Sequence, residues 1–121
     1  MQRDPRAYLW DALQAAQALR AFVADADSQR YSADELLRSA VERKLEIIGE
    51  ALGQLAKLDA DLARQVPRLP QIVAFRNVLI HGYARVNHET VWNVVQDAVP
   101  ELMRTLQELL ERAGDADGTP G

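Results

Sequence analysis

Ser32-Ala33-Asp34-Glu35-Leu36-Leu37 opens the stretch whose pattern decides the fold. From Leu37 onward, apolar residues return at Val41, Leu45, Ile48, Leu52 and Leu55, in steps of three and four that set them on one side of a helix. Leu36, Ala40, Ile47 and Ala51 widen that side, so this helix should be covered by more than one neighbour. Ser32 and Glu35 have the spacing of a capping box, in which each side chain satisfies an orphan backbone N–H. Arg43, Glu46, Glu50 and Lys57 form the polar edge.

The flanks read the same way. Upstream, Asp4-Pro5 supplies an N-cap acceptor and a proline at the first helical position. Leu9, Ala12, Leu13, Ala16, Leu19 and Val23 follow as one stripe, which predicts a helix to about Asp25. Downstream, Asp59-Ala60-Asp61 predicts a short helical turn, and the chain must break between Pro67 and Pro70. A third main helix is expected from about Pro70 to His81-Gly82, closed by Gly82 in the left-handed conformation. Asn87 should cap the last helix, whose buried row is Val91, Val95, Ala98, Leu102, Leu106 and Leu109, with Pro100 kinking it. The fold class is all-α: an antiparallel bundle of four main helices with a short extra helix. Residues 1–112 form the helical domain. Residues 113–121, rich in Gly and Asp, are expected to be a disordered C-terminal tail.

Composition limits the function classes. At 121 residues, 48% of them hydrophobic, the chain suits one globular domain. It has no cysteine, which excludes a disulfide framework and a thiolate zinc site. No apolar run approaches the ~20 residues of a membrane span, and the charged Arg3-Asp4-Pro5-Arg6 start does not read as a signal peptide. A soluble, cytoplasmic protein without a membrane association is expected. The net charge of −4 argues against a general nucleic-acid coat. Yet residues 62–88 contain no Asp or Glu, while Arg64, Arg68, Arg76, Arg85 and both histidines fall within them. A basic island on an acidic body suits a small anion-binding site.

Inside that island lies Arg76-Asn77-Val78-Leu79-Ile80-His81-Gly82-Tyr83. An arginine holds phosphate through a rigid fork of donors, and a histidine moves protons near neutral pH. Together they suffice to cut RNA without a metal or other cofactor. Asn77 and His81 are four apart, so the amide can orient the imidazole. Arg76 and His81 are five apart, ~140° round a regular helix and ~7.5 Å along it, so they cannot both point squarely at one phosphate. Either the arginine bends over, or a second copy supplies the missing group across a two-fold axis. The latter predicts a homodimer with the third helix at its interface, where Ala74 leaves room for close approach. His81 and His88 lack the spacing of a metal-ligand pair.

The pattern Arg-x-x-x-x-His-x-Tyr resembles the signature of HEPN-fold ribonucleases, specifically the HepT-like toxins of the HepT/MntA type of toxin–antitoxin pair. The likeness extends to Arg43-Lys44-Leu45-Glu46-Ile47-Ile48-Gly49-Glu50-Ala51 and to the last helix from Val91-Trp92 through Leu102. It implies an endoribonuclease, a metal-independent hydrolase with Arg76 and His81 as catalytic residues and Asn77 in support, acting on RNA. It further implies a cognate nucleotidyltransferase (MntA-like) antitoxin that transfers AMP to Tyr83. By physics alone Tyr83 reads as a packing tyrosine with a wet hydroxyl; the resemblance makes it the acceptor. Glu46 and Glu50 read either as ends of an ion-pair network reaching the motif or as a solvated helix edge. Two other function classes stay open: a catalytically silent helical module that binds a nucleotidyltransferase or nucleotide, and a purely structural helical dimer.

Overall fold

The computed structural model describes residues 3–82 and 86–116. Among the described residues every regular element is helical: α1 (Pro5–Phe22), α2 (Ser28–Ala33), α3 (Glu35–Leu58), α4 (Ala60–Ala63), α5 (Leu69–His81), α6 (His88–Asn93), a π-helical stretch (Val94–Ala98) and α7 (Val99–Ala116). Short acidic or amide side chains start most of them. Asp4 accepts from the Arg6 N–H, Asp27 from Arg30, Asp34 from Leu37, Asp59 from Leu62 and Asn87 from Thr90, at 2.8–3.1 Å. Each removes one of the orphan donors that a helix start leaves.

Two of these caps correct the expectations. Ser32 does not open the long helix; it lies inside α2, and Asp34 caps α3 instead. Asp27 starts a helix of its own that takes in Ser32, which leaves the Asp34 carboxylate to accept from the Leu37 N–H. At the other end α7 continues to Ala116, so the expected tail boundary at residue 113 falls inside a helix. Residues 117–121 lie outside the described ones.

The expected stripes form the core. Leu9, Ala12, Leu13, Ala16, Leu19 and Val23 of the first helix and its closing turn are all buried, as are Leu37, Val41, Leu45, Ile48, Leu52 and Leu55 of α3. Leu36 is an exception, 81% exposed. The helix α3 is the central element, packed on one side by α1 and on another by α5, while α7 closes on α1. That arrangement explains its broad apolar face.

Pro100 is accommodated by the π-helical stretch before it. A proline in a regular helix loses its N–H bond and its ring meets the carbonyl four residues back. Here the Val99 N–H reaches the Val94 carbonyl, one residue farther than in an α-helix. The next carbonyl, of Val95, then falls opposite Pro100, which has no proton to give. Arg20 of α1 fills that place, donating from Nη1 to the Val95 oxygen at 3.3 Å. Val99 is buried where Ala98 was expected, and Ala98 is half-buried at the edge of a groove beside α5.

Candidate active site

The helix α5 carries the motif, and Arg68 and Gly82 mark its two ends. Arg68 adopts φ 63°, the left-handed conformation, and turns the chain sharply; Leu69-Pro70 then starts the helix, where a missing N–H is harmless. At the far end the Gly82 N–H bonds to the Val78 carbonyl at 2.7 Å, with φ −92° and ψ −14°. Gly82 therefore does not take the expected left-handed conformation. The glycine serves a different need: a Cβ there would press into the Val78 carbonyl oxygen. Tyr83 and Arg85 lie outside the described residues.

Arg76 is set by close contact with α3. A Cβ on Gly49 would collide with Arg76 Cβ and come within 2.9 Å of its Cγ. The bare backbone of Gly49 thus lets the arginine stem lie directly on α3. The guanidinium is held from the side: Nη1 donates to Asn77 Oδ1 at 3.3 Å. Its Nε is buried without a hydrogen-bond partner, and among the described residues no carboxylate pairs with Arg76. A half-buried cation without a carboxylate partner among the described residues is suited to meeting an anion through the exposed part of its guanidinium.

His81 is the last residue of α5 and is exposed. Asn77 lies a turn before it, but among the described residues its amide oxygen accepts from Arg76, so the expected amide–imidazole link is replaced by an amide–guanidinium one. α5 is an uninterrupted α-helix over this span, so the ~140° separation of Arg76 and His81 applies. Arg76 faces α3, while Ala74, Asn77, Val78 and His81 are exposed. One chain does not converge the two catalytic candidates by helix geometry alone. The exposed face is also unusual in character: α5 is rich in Ile, Val, Leu and Phe, yet only Leu69 and Leu79 are buried.

The acids of α3 fall elsewhere. Glu46 stands 3.8 Å from Arg43 within its own helix, and Glu50 lines a concavity between α1 and α3 together with Arg3, Tyr8 and Lys44. Glu42, which the sequence did not single out, is half-buried, and burial raises its carboxyl above the usual range despite the opposing pull of His88 and Arg38. Beside it lies Tyr31, wholly buried, its ring 5.4 Å from that of Trp92 and its hydroxyl without a partner. Gly49 could have been noticed as an isolated glycine in a strong helical pattern, a frequent mark of close approach. Glu42 and His88 had no such signal, since their proximity is purely tertiary.

The described residues thus form an all-helical domain in which one helix carries an arginine without a carboxylate partner among them and an exposed histidine. Comparison with known proteins narrows the class. The family model "Ribonuclease HepT-like" matches residues 12–109, and the chain belongs to this HepT-like family. Similar chains include "Putative RNase MJ1380" of Methanocaldococcus jannaschii, 32% identical over 108 residues, covering 88% of this chain and 96% of that one. "Putative RNase TTE0752" of Caldanaerobacter subterraneus subsp. tengcongensis is 34% identical over 110 residues, covering 91% and 97%. "Probable ribonuclease HepT" of Thermococcus cleftensis is 30% identical over 111 residues, covering 90% and 98%. No solved structure matches.

Proposed function

We propose that the protein is a metal-independent RNA endonuclease and the toxin of a toxin–antitoxin pair. The observation that carries this reading is Arg76, its stem laid on Gly49 and its guanidinium held by Asn77 and free of any carboxylate partner among the described residues, on the helix that ends in exposed His81. In the reaction the 2′-hydroxyl attacks the adjacent phosphorus, and the bond from phosphorus to the 5′-oxygen breaks. A His81 imidazole takes the 2′-hydroxyl proton or gives one to the leaving 5′-oxygen, an effect worth about 10²–10⁴ in rate. Arg76 offsets the negative charge that builds on the phosphoryl oxygens. The products are a 2′,3′-cyclic phosphate and a 5′-hydroxyl, so DNA is refused for lack of the nucleophile.

Because Arg76 and His81 diverge on α5, the complete site is assigned to a homodimer whose two-fold axis passes by the exposed face of Ala74, Asn77, Val78 and His81. The whole is then an antiparallel bundle of four main helices, paired through its third. Tyr83, two residues past His81, is assigned as the acceptor of AMP from a partner nucleotidyltransferase. The added phosphate would bring negative charge and bulk to the end of the motif and so oppose RNA binding. Among the described residues no helix is long and apolar enough to cross a membrane, which suits action on cytoplasmic RNA. Expression of wild type and His81→Ala side by side tests the reading: growth arrest and RNA decay should accompany the wild type alone. A wild type that neither slows growth nor degrades RNA would favour a silent binding module.

A further inference from the structure

Between α5 and the last helix lies a cavity of about 360 Å³, at the small end of ligand sites. It exists because α5 packs on α3 and makes little contact with the π-helical stretch or α7. Its walls are apolar: Leu45 and Ile48 of α3, Ile72 and Phe75 of α5, and Val94 and Val99 across the gap. Two polar side chains enter, Arg68 and Gln71, and no acid lines it. Glu101 appears only in the narrow extension of about 40 Å³ beyond Arg68.

We infer that this groove takes one unstacked base of the RNA strand and so sets nucleotide preference beside the cut; the inference rests on the ribonuclease reading. The chemistry is what single-stranded RNA recognition uses: an aromatic side chain to lie against the base, an arginine for stacking or backbone phosphate, and an amide for a base edge. Phe75, Arg68 and Gln71 supply these in turn. The charge matches, since the cavity has a cation and no carboxylate for an anionic strand. Arg68, which lines the cavity, holds a backbone conformation that glycine takes at less cost. Placement fits as well. Phe75 adjoins Arg76 and lies six residues before His81, about 9 Å along the helix, so one strand spans both. Round α5, Phe75 lies about 120° from His81 and Gln71 about 80°, so the groove opens beside the His81 side rather than on it.

The test uses the full-length protein with Gln71→Ala, Phe75→Leu and Arg68→Gly variants; Gln71 is exposed, so its variant keeps the fold in play if Phe75→Leu does not fold. Sequencing of cut ends from a randomised single-stranded RNA should show a base preference near the cut for wild type, flattened at that same position in each variant. A 2′-O-methyl oligonucleotide that cannot be cleaved, carrying 2-aminopurine at that position, should brighten when wild type draws the base away from its stacked neighbours. Phe75→Leu should lose the brightening and bind about tenfold more weakly. If wild type cuts without any flanking preference, or the variants keep its preference and brightening, the base site is wrong and the ribonuclease reading stands. If wild type brightens the probe but cuts nothing, the base site stands and the ribonuclease reading fails. If the variants only separate subunits in sedimentation, with preference unaltered, the groove belongs to a second copy and the inference is overturned.

Discussion

Gly49 and Arg76 form the contact on which the site depends most. Replacing Gly49 by alanine gains helix propensity of about 1 kcal/mol, but the new methyl group collides with the Arg76 stem. Overpacking of this kind costs about 1–3 kcal/mol, so Gly49→Ala should lower the thermal midpoint and reduce cleavage more than a distant change of equal cost. A midpoint equal to or above wild type, with full activity, would show that α3 and α5 can separate freely. Tyr83→Phe keeps the ring and removes only the oxygen proposed to accept AMP. It should retain substantial cleavage but escape the nucleotidyltransferase, and mass spectrometry after co-expression should find AMP-sized additions on wild type alone. Additions that persist on the Phe variant, or fall on Tyr8 or Tyr31, would place the switch elsewhere. Glu42 offers a test by pH. Its carboxyl is raised by burial, so between the ordinary carboxylate range and its folded value the native state binds more protons than the unfolded one. Stability therefore falls as pH rises through that window. Glu42→Gln should be more stable than wild type near neutrality, and the advantage should vanish below about pH 4.

Among the elements, the last helix shows how a single proline is absorbed. The Arg20 bond to the Val95 carbonyl supplies the donor that Pro100 lacks. Arg20→Leu should cost about 1–3 kcal/mol by stranding that carbonyl. The cost should shrink in a Pro100→Ala background, where residue 100 regains an N–H; denaturant melts of the four-member cycle measure the coupling. Equal costs in both backgrounds would mean that Arg20 acts independently of the proline. At the start of α1, Asp4 behaves oppositely to Glu42: the side-chain and backbone bonds from Arg6 hold its carboxyl at about 2. Its contribution is present above the ordinary carboxylate pKa and fades as pH falls through that lower value.

Much at this scale was legible beforehand. The stripes of α1 and α3, the Asn87 cap and the bounds of α5 follow from period and capping chemistry, which are local. What escaped was set by competition or by tertiary contact. Ser32 looked like a cap because its spacing to Glu35 was right, but α2 takes it in and Asp34 caps α3. The motif residues Arg76, Asn77 and His81 could be picked out as a candidate site from their residue types and spacing. Their partners were not: nothing local says that Arg76 would lie on Gly49, that Asn77 would bond to the arginine rather than the histidine, or that Glu42 and His88 would face each other.

For the whole molecule, the divergence of Arg76 and His81 on one regular helix is the argument for two copies. Sedimentation should give a dimer at micromolar concentration. Mixed Arg76→Ala and His81→Ala subunits should recover part of the activity that each lacks alone, if sites are shared across the two-fold axis. A fully active monomer would count against this arrangement. The reaction itself is best tested by incubating purified wild type and His81→Ala with a defined single-stranded RNA in excess chelator. The account predicts cleavage by wild type alone, products ending in a 2′,3′-cyclic phosphate, and resistance wherever the scissile nucleotide is 2′-deoxy. Cleavage that stops in chelator and returns with Mg²⁺, or that continues undiminished in His81→Ala, would contradict it.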